Sequence, residues 1–433
     1  MRKKDLPVVT VTLDKIVGGG QTLGTMEDGR KLFVWGGLPG EQVEVQLTKK
    51  KSKLAEGYVT NVITASKDRV EPRDPESYLS TSPWEIMTFA KEQEYKAALI
   101  TEAFALSGVT LPEAVTVYTD NKEYEYRNKI EFSFWTDAET GKIDLAFFRR
   151  GTHGKITFES TSLAHPAINA AAKAVRDLLN KKGISGFDLK TLLVRSDAKG
   201  NVVAQLYVKK QDFRETSEQD IKELGVQGFE VIFSNPKSPA SVITERLSSW
   251  GKTTLNDTIL DIPFTYATEG FFQINLPVYS QALDDMDEYI TPGKSVVDMY
   301  SGVGTIGLTI GGEKVTLVEV NESAVREMHD NILKLGRKDS AIAVLAPSEK
   351  ALEYINGESL IIVDPPRAGL HQDVVDRLLD QKPERIIYLS CNPVTQARDI
   401  ALLQGTYKIV GQKGYNFFPR TPHIEHLVIL DLI

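Results

Sequence analysis

The feature that most constrains the fold is a regular alternation of apolar strands and amphipathic helices that begins at Ser295. The strands are SVVDMYS, KVTLVEV, AIAVLA, SLIIVDPPR and RIIYLSCNP, and helical patterns such as NESAVREMHDNILKLG and HQDVVDRLLDQ separate them. Near-continuous apolar strands alternating with helices predict a parallel sheet covered on both faces. Two closing strands, YKIVGQKGY and HIEHLVILDLI, have no helix between them and predict an antiparallel hairpin at one edge.

The rest of the chain predicts two further structural units, in keeping with a length of 433 residues. Residues 1–63 contain four short strands with period-2 alternation, VVTVTLDKI, KLFVWG, EQVEVQL and GYVTNVI, which predict a small antiparallel barrel. Apolar residues at helical spacing from Pro83 to Leu106 predict one helix. Residues 120–265 mix strands with one strong helix, PAINAAAKAVRDLLNKKG, and predict an α+β domain.

Charge is distributed unevenly along the chain. The net charge of −8 does not by itself suggest a nucleic-acid partner, because phosphate binding needs clustered Lys and Arg. Residues 1–63 nevertheless carry ten Lys or Arg against seven Asp or Glu, so they contribute +3 and residues 64–433 contribute −11. Lys49, Lys50, Lys51 and Lys53 form the densest basic cluster. This cluster is either a solvated hairpin loop or a phosphate-binding surface.

Cys391 is the only cysteine. It excludes an intramolecular disulfide, a four-thiolate zinc site and an iron–sulfur cluster held by the chain's own cysteines. No window reaches the roughly 18 uninterrupted apolar residues of a membrane helix, and the first ten residues lack the apolar stretch of a secretory signal. We therefore expect a cytoplasmic enzyme that does not bind membranes.

The ends of the predicted parallel strands carry polar residues. In such sheets, ligands bind beyond the carboxyl ends of the strands, near the point where strand order reverses. These positions hold Asp298, Glu319, Asp364 and Cys391, and Glu425 follows a turn. We expect the four carboxylates and the thiol to meet at one rim.

The glycine-rich turn after the first of these strands indicates a nucleoside ligand. Gly302, Gly304 and Gly307 satisfy G-x-G-x-x-G, which alone is a weak signal. Asp298 would oppose a pyrophosphate but suits a cationic amino-acid ligand, and Glu319 stands where an acid can bind ribose hydroxyls. Together they favour S-adenosylmethionine over NAD.

The motif Asp364-Pro-Pro-Arg367 ends the fourth strand. Consecutive prolines make a rigid lip, and methyltransferases acting on exocyclic amines place an aromatic residue after them. Arg367 at this position suggests that charge is stabilised; the alternative is a Pro-terminated strand with a surface salt bridge. Cys391, in Ser390-Cys-Asn-Pro, is either a small buried hydrophobe or a nucleophile whose pKa the helix near Thr395 would lower.

A thiol at such a site suits methylation of a pyrimidine at carbon 5. Attack at carbon 6 activates carbon 5 and places charge on the carbonyl oxygen at carbon 4, after which a base removes the carbon 5 proton. Cys391, Arg367 and Glu425 supply the thiol, the enolate-stabilising group and the base. His423 and His426 are alternative bases, and an exposed acid at a strand end is the alternative reading of Glu425.

These residues resemble the RNA uracil-5 methyltransferases. The motifs that carry the resemblance are DMYSGVGTIGL, VEVN, DPPRAGL, SCNP, GFFQIN and FFPRTPHIEHLVIL. The N-terminal GGG, LFVWGGLPGEQVEV and lysine run are similar to a TRAM domain, an OB-like barrel that binds RNA. The resemblance covers essentially the whole chain and implies a Rossmann-like methyltransferase domain, an N-terminal barrel and an α+β central domain.

The resemblance also implies roles for individual residues. It assigns the nucleophile to Cys391, the proton-abstracting carboxylate to Glu425 and a position near the flipped uracil to Phe271. It assigns RNA contacts to the lysine run Lys49, Lys50 and Lys51. It assigns cofactor contacts to Gln273, Tyr300, Thr305, Glu319 and Asp364. Thr305 stands where many relatives have Asn, and the residue holding the adenine edge should lie near Ser348 or Glu349.

The implied domains are a TRAM-like barrel at 1–66, a central domain at 67–90 and 120–265, and a catalytic domain at 91–119 and 266–433. Many TRAM-containing relatives hold an iron–sulfur cluster with four cysteines. The equivalent stretches here, EPRDPESYLSTSPW and ITFESTSLAHP, contain no cysteine, so we expect no cluster and no metal. Packing of Tyr78 and Trp84 should hold this segment instead.

The sequence therefore predicts a monomeric enzyme that methylates carbon 5 of a specific uridine in RNA with S-adenosylmethionine. The TRAM-like barrel favours ribosomal RNA of the large subunit, with a transfer-RNA uridine as the alternative. A cytosine-5 methyltransferase would need a group to handle the exocyclic amine, and a non-catalytic RNA-binding relative would not need Cys391, Arg367 and Glu425 together.

Overall fold

The computed structural model of the protein describes residues 6–150 and 154–433. Residues 1–5 and 151–153, which belong to the predicted barrel and central domain, lie outside the described residues. Within the described ranges the chain forms a closed barrel, two larger sheets and a separate hairpin. None of the helices in these ranges combines the length and the apolar character needed to cross a bilayer.

The barrel is built from short strands whose inward side chains alternate with solvated ones. Its strands are β1 Val8–Ile16, β2 Thr22–Thr25, β3 Lys31–Trp35, β4 Gln42–Lys50 and β5 Leu54–Thr64, in the order β1-β2-β3-β5-β4. The predicted antiparallel arrangement is wrong for one pair, because β3 and β5 run parallel. The β4–β5 hairpin pairs β4 with β1, and this leaves β5 beside β3.

The segment after the barrel corrects the predicted helix. Helix α1 is Tyr78–Thr81 and helix α2 is Phe89–Leu106, followed by strand β6, Val117–Tyr118. The predicted helical start at Pro83 is wrong, because Trp84, Ile86 and Met87 are buried beside the barrel residues Ile16 and Leu38 before α2 begins.

The helices of the central domain pack on one face of its sheet and form a separate hydrophobic core with it. Its elements are β7 Lys129–Thr136, β8 Ile143–Phe148, β9 Lys155–Thr157, α3 Pro166–Lys181, β10 Leu189–Ser196, β11 Val202–Val208, α4 Glu218–Glu223, β12 Gly228–Phe233 and β13 Glu245–Gly251. The strand order is β13-β12-β11-β10-β7-β8-β9. Helix α3 buries Ile168, Ala172 and Val175 against this sheet, as its amphipathic pattern predicts.

A hairpin links the central sheet to the C-terminal part. Its strands are β14 Thr254–Ile259 and β15 Ile262–Ala267, joined by a tight turn at Leu260 and Asp261 with positive φ at both residues. Leu255, Phe264 and Tyr266 pack in the core cluster of the C-terminal sheet. The domain division at residue 265 stays a prediction, and this packing favours a boundary at the start of the hairpin.

The C-terminal sheet is the Rossmann-like part of the molecule. Its elements are α5 Leu276–Asp287, β16 Val296–Met299, α6 Thr305–Ile310, β17 Val315–Glu319, α7 Glu322–Lys334, β18 Ala341–Leu345, two short 3₁₀ turns at Ser348–Lys350 and Leu352–Tyr354, β19 Leu360–Val363, α8 Gln372–Gln381, β20 Arg385–Ser390, α9 Pro393–Leu403, β21 Tyr407–Tyr415 and β22 Glu425–Leu432. Strands β16 to β20 pair in parallel, which confirms the α/β prediction.

The strand order, β18-β17-β16-β19-β20-β22-β21-β6, places the binding crevice. The order reverses between β16 and β19, so ligands should bind at the carboxyl ends of these strands. The predicted position of the closing hairpin at the sheet edge is wrong by one strand, because β6 pairs in parallel outside β21. Helix α2 packs against α9, so the segment before the central domain belongs to this sheet.

Candidate active site

A cavity of about 900 Å³ opens at the carboxyl ends of the parallel strands. Its walls are the turns after β16, β17, β19 and β20, the loop between β15 and α5, and the segment before β22. The predicted site residues that line it are Phe271, Gln273, Tyr300, Glu319, Asp364, Arg367, Cys391 and Glu425. Its volume is in the range of small-molecule sites.

The glycine turn after β16 forms one wall. Tyr300 has φ +68°, Gly302 +56° and Gly304 +87°, so three residues of this turn adopt the left-handed conformation. The absence of a side chain matters most at Gly302, because its backbone faces the cavity. A Cβ atom at this position would lie 3.8 Å from Cδ1 of Phe271. The turn therefore presents backbone to a ligand with little side-chain obstruction.

Asp298 lies beneath this turn. The expectation that it stands on the rim is wrong, because its side chain is fully buried and Oδ2 accepts a hydrogen bond of 2.9 Å from the Gly307 N–H. Burial, with a further contribution from Asp364, raises the pKa of Asp298 to about 8. Asp298 therefore holds the start of α6 in place as a neutral acid at neutral pH.

Thr305 is the predicted cofactor residue that the structure does not bring to the cavity. It is the first residue of α6, it is buried, and its Oγ1 lies 2.7 Å from the hydroxyl of Tyr279 in α5. The side chain therefore joins two helices and does not face the cavity.

Glu319 faces the cavity from the end of β17. Its Oε2 accepts a hydrogen bond of 2.9 Å from the Gly302 N–H, and its Oε1 accepts one of 2.7 Å from the Asn321 N–H. Each carboxylate oxygen can accept a second hydrogen bond, so the pair can still bind two adjacent hydroxyls. The backbone bonds set the direction of both oxygens before a ligand arrives.

Tyr300 and Ser348 form the wall next to Glu319. The Ser348 hydroxyl donates a hydrogen bond of 2.8 Å to the Tyr300 hydroxyl, and burial raises the pKa of Tyr300. Glu349 also lines the cavity at this side. This is the region where the adenine-binding residue was expected.

The Asp-Pro-Pro-Arg lip is tied to the cysteine loop. The carbonyl oxygen of Arg367 accepts hydrogen bonds from Asn392 Nδ2 at 2.9 Å and from Thr395 Oγ1 at 3.2 Å. The Arg367 guanidinium donates to Nδ1 of His423 at 3.2 Å, since arginine has no acceptor. Burial, and then the charge of Arg367, lowers the pKa of His423 to about 4, so this imidazole is neutral.

The other alternative base does not face the cavity. His426 is fully buried, and its ring nitrogens lie 2.7 Å from Oε1 of Gln396 and 3.0 Å from Oε1 of Gln412. His423 lines the cavity together with Glu425, and its Nδ1 accepts the hydrogen bond from Arg367.

The electrostatic environment of Cys391 differs from the sequence expectation. Burial, and then the carboxylates of Glu425 and Asp364, raises the pKa of the thiol to about 12, while Arg367 acts in the opposite direction. The expected lowering by a helix dipole is wrong, although α9 begins at Pro393, because desolvation and two acids outweigh a dipole effect. The thiol is therefore protonated in the free protein.

The two acids beside the thiol are also perturbed. Burial, and then the nearby Asp364, raises the pKa of Glu425 well above its ordinary value, and Glu425 is 5% exposed. Burial raises the pKa of Asp364 to about 7. Two neighbouring carboxyls in a desolvated cavity favour one shared proton, a pattern typical of sites that move protons.

Sequence reasoning missed one aromatic wall of the cavity. Phe418 lines it and meets the ring of His423 edge-on, with ring centroids 5.8 Å apart. The aromatic pair at 417 and 418, directly before the Pro-Arg-Thr-Pro-His segment, was the available signal.

The lysine run lies on the barrel and does not line this cavity. Lys49 Nζ lies 2.6 Å from Oε1 of Glu56, and Lys50 Nζ lies 4.0 Å from Oδ2 of Asp28. Lys51 is exposed at the turn after β4. Surface pairs of this kind are weak, so the lysines stay available to an anionic partner.

A parallel sheet extended by an antiparallel hairpin, with a cavity at its switch point, defines a Rossmann-like fold. The same fold occurs in the tRNA (uracil-54, C5)-methyltransferase of Pyrococcus abyssi, solved with S-adenosyl-L-homocysteine. The two structures superpose with a TM-score of 0.80 at 22% identity, over 97% of this chain and 100% of that chain.

Sequence comparison identifies the family. Residues 350–433 match the model of the tRNA (Uracil-5-)-methyltransferase family. An uncharacterized RNA methyltransferase of Enterococcus faecalis is 30% identical over 427 residues, 93% of each chain, and one of Lactobacillus johnsonii is 29% identical over 93% of this chain and 94% of its own. The chain therefore belongs to the RNA methyltransferase family of these relatives, and the match of residues 350–433 to the uracil-5 model agrees with the resemblance inferred from its motifs.

Proposed function

We propose that the protein methylates carbon 5 of a uridine in folded RNA, with S-adenosylmethionine as the methyl donor. The observation that carries this proposal is the meeting of Cys391, Arg367 and Glu425 in one cavity, which Glu319 also lines. Thiol, cation and acid are the three groups that carbon 5 methylation of a uracil requires.

The cavity fits this donor. The Glu319 carboxylate keeps two acceptor positions for ribose hydroxyls, and the Gly302 backbone leaves room beside it. Gln273, Tyr300, Glu319 and Asp364 would hold the donor, with Ser348 near the adenine. When bound, S-adenosylmethionine supplies a methyl group activated by a sulfonium centre.

Cys391 acts first on the uracil ring. Its thiol loses a proton to the neighbouring Asp364 carboxylate, which is partly ionised at neutral pH because its pKa is about 7; this transfer is uphill in the free protein, and the Arg367 guanidinium favours it by lowering the pKa of the thiol. The Sγ atom then bonds to carbon 6, the carbon 5–carbon 6 double bond opens, and charge moves to the oxygen on carbon 4. A cation stabilises this enolate, a role that suits Arg367.

Glu425 completes the reaction. Once carbon 5 carries its methyl group, the Glu425 carboxylate takes the remaining carbon 5 proton, the double bond reforms and the bond between Sγ and carbon 6 breaks. Burial, and then Asp364, raises the pKa of Glu425 well above its ordinary value, whereas Arg367 favours its ionised form. We infer that the charge of Arg367 supports the ionised form that the proton transfer requires.

The substrate base must leave its stack to reach Cys391, which costs roughly a few kcal/mol and least in a loop. Phe271 lines the cavity and is 65% exposed, and Phe418 also lines it, so both offer rings to an unstacked base. The N-terminal barrel, as a TRAM-like domain, would hold the flanking phosphates through Lys49, Lys50 and Lys51.

We propose ribosomal RNA of the large subunit as the substrate, on the resemblance of the barrel to a TRAM domain. Transfer RNA is the second candidate, because the Pyrococcus abyssi structure is named for a tRNA uridine. We also propose that the protein is a monomer and that it acts in the cytoplasm.

The decisive experiment compares Cys391→Ala, Glu425→Gln and the double variant on both RNAs. Glu425→Gln should accumulate a denaturation-resistant protein–RNA adduct, and the double variant should form none, because the bond to carbon 6 needs the thiol. Mass spectrometry of nucleosides should find 5-methyluridine only with wild-type protein. Turnover by Cys391→Ala would refute the covalent route, and methylation of transfer RNA alone would transfer the assignment to the second candidate.

A further inference from the structure

The loop between β15 and α5 lies between the central sheet and the Rossmann-like part. We call residues 268–275 the pocket loop. Residues 269–274 of this loop line the cavity, and among them are the predicted uracil-side residue Phe271 and the predicted cofactor residue Gln273. The loop contains no regular secondary structure, so contacts from elsewhere must hold it in place.

Arg195 of the central sheet binds the pocket loop through its backbone. Its Nη1 donates to the carbonyl oxygen of Gly270 at 2.8 Å and to that of Thr268 at 3.3 Å, and its Nη2 donates to that of Phe272 at 2.7 Å. The guanidinium also lies 4.6 Å from the ring centroid of Tyr266. One side chain of β10 therefore contacts the loop on both sides of Phe271.

Neighbouring side chains of the central domain add to this hold. Asn128 Nδ2 donates to the carbonyl oxygen of Gln273 at 2.9 Å, and Lys129 Nζ donates to those of Glu269 and Gly270 at 3.3 and 3.2 Å. Burial, and then the charge of Arg195, lowers the pKa of Lys129 to about 8. The hold is therefore made by the fully buried cation of Arg195, the half-buried cation of Lys129 and the amide of Asn128.

A helix of the Rossmann-like part holds the chain directly before the pocket loop. Glu327 of α7 accepts a hydrogen bond of 2.9 Å from the Ala267 N–H, immediately before the pocket loop. The Glu269 carboxylate is bound by Gln205 at 2.7 Å and by Arg246, both from the central sheet. The loop is thus the joint through which the central sheet contacts the cavity.

The burial of Arg195 makes a purely structural role an incomplete explanation. It is fully buried, and among the described residues no carboxylate lies within ion-pair distance of it. A buried cation is costly unless its donors are satisfied; here the carbonyl oxygens of the pocket loop accept hydrogen bonds from Nη1 and Nη2, while the buried Nε has no partner among the described residues. An apolar residue of similar volume would fill the space at lower cost but would leave these carbonyls without donors.

We propose that Arg195 is a positioning residue that sets the active cavity from the central domain, by fixing the backbone on either side of Phe271. The inference rests on the proposed function only for the identity of the ligands, a uridine at Phe271 and a methyl donor at Gln273. The hold on the loop itself is a property of the protein without RNA.

The test uses three full-length variants with a matched control in the same strand. Arg195→Met keeps the volume and removes all donors, and Arg195→Lys keeps the charge with fewer directed donors. Lys190→Met is the control, because Lys190 of β10 binds Ser234 and Ser238 away from the pocket loop. If Arg195→Met fails to fold, the same measurements are made on Lys129→Met, which also removes a donor to the backbone of the pocket loop.

Hydrogen exchange and donor-product binding are measured without RNA. In Arg195→Met, amide exchange in peptides covering 268–275 should accelerate by about tenfold or more, and the Kd for S-adenosylhomocysteine should rise about five- to tenfold. Arg195→Lys should recover part of both effects, and Lys190→Met should show neither. With RNA, kcat/KM should fall at least about tenfold, mainly through KM.

Unchanged exchange of the pocket loop in a folded Arg195→Met or Lys129→Met protein would overturn the inference. An equal change in Lys190→Met would also overturn it, because the effect would then be general destabilisation. Both readouts are independent of the uridine reaction, so wild-type protein that fails to methylate RNA would refute the proposed function and leave this inference standing.

Discussion

The side-chain amide of Asn392 donates a hydrogen bond of 2.9 Å to the backbone carbonyl of Arg367. Asn392 follows Cys391 directly, so this bond fixes the position of the lip relative to the thiol. The same side chain caps helix α9, where its Oδ1 accepts a hydrogen bond of 3.2 Å from the Val394 N–H. One residue therefore connects the Cys391 loop, the Asp-Pro-Pro-Arg lip and helix α9.

Asn392→Ala should lower kcat by about 10- to 100-fold, because a small displacement of Arg367 weakens stabilisation of the enolate. It should also cost about 1 kcal/mol of folding stability through the lost cap. Asn392→Ser separates the two effects, since serine caps a helix but is too short to reach the lip. Single-turnover methylation and urea unfolding of both variants would decide. Full activity of Asn392→Ser would show that the bond to Arg367 is dispensable.

The Cys391 thiol should react slowly with iodoacetamide at neutral pH. Its pKa of about 12, raised first by burial, leaves little thiolate, and the labelling rate should rise about tenfold per pH unit between pH 7 and 10. Protein unfolded in urea is the control, because its thiol has the ordinary pKa of about 8.5 and should react faster at pH 8. Equal native and unfolded rates would contradict the raised pKa. The single cysteine makes the labelling unambiguous.

Periodicity predicted most of the fold, because the predicted strands of the C-terminal part, except the edge strand β18, bury apolar side chains. The parallel pairing of β3 with β5 and the edge position of β6 were not predictable, since both depend on pairings between distant segments. The start of α2 was misplaced for a related reason. Trp84 and Met87 have helical spacing but are buried against the barrel, a tertiary contact that the spacing does not encode.

The site residues were predictable to the extent that they end strands. Asp364 and Cys391 follow β19 and β20, and the topology alone brings them to one cavity. Asp298 also lies at a strand end, but its side chain lies under α6, because it accepts a hydrogen bond from the Gly307 N–H at the start of that helix. The pKa of Cys391 could not be read from sequence, because it depends on the burial and on the acids that folding places nearby.

Asp298 should make stability depend on pH. Its native pKa of about 8 exceeds the unfolded value of about 3.8, so the folded protein binds the proton more tightly. This contribution is complete below about pH 4 and is lost as pH rises towards 8. Relative to Asp298→Asn, the free energy of unfolding of the wild type should fall by about 1 to 3 kcal/mol between about pH 5.5 and 7.5. Urea unfolding at several pH values measures this. Asp339→Asn, at an exposed position, controls for the change in net charge, and identical pH profiles for wild type and Asp298→Asn would contradict the prediction.

The lysine run should set the salt dependence of RNA binding. Lys49 and Lys50 lie near Glu56 and Asp28, but exposed pairs of this kind contribute about 0 to 1 kcal/mol and can be replaced by phosphates. Replacing Lys49, Lys50 and Lys51 by Ala should therefore weaken binding and lower the slope of log K against log salt by about 2 to 3, near one unit per lost phosphate contact.

A second triple variant tests whether position or total charge is responsible. Lys314 and Lys338 precede β17 and β18, and Lys334 ends α7, so all three lie opposite the cavity rim. Replacing them by Ala removes the same charge and should change the salt slope little, because the Debye length of about 8 Å at physiological salt screens distant charges. Equal losses of RNA affinity and salt slope in the two triple variants would mean that the lysine run is ordinary solvated surface. RNA would then reach Cys391 without binding to the barrel.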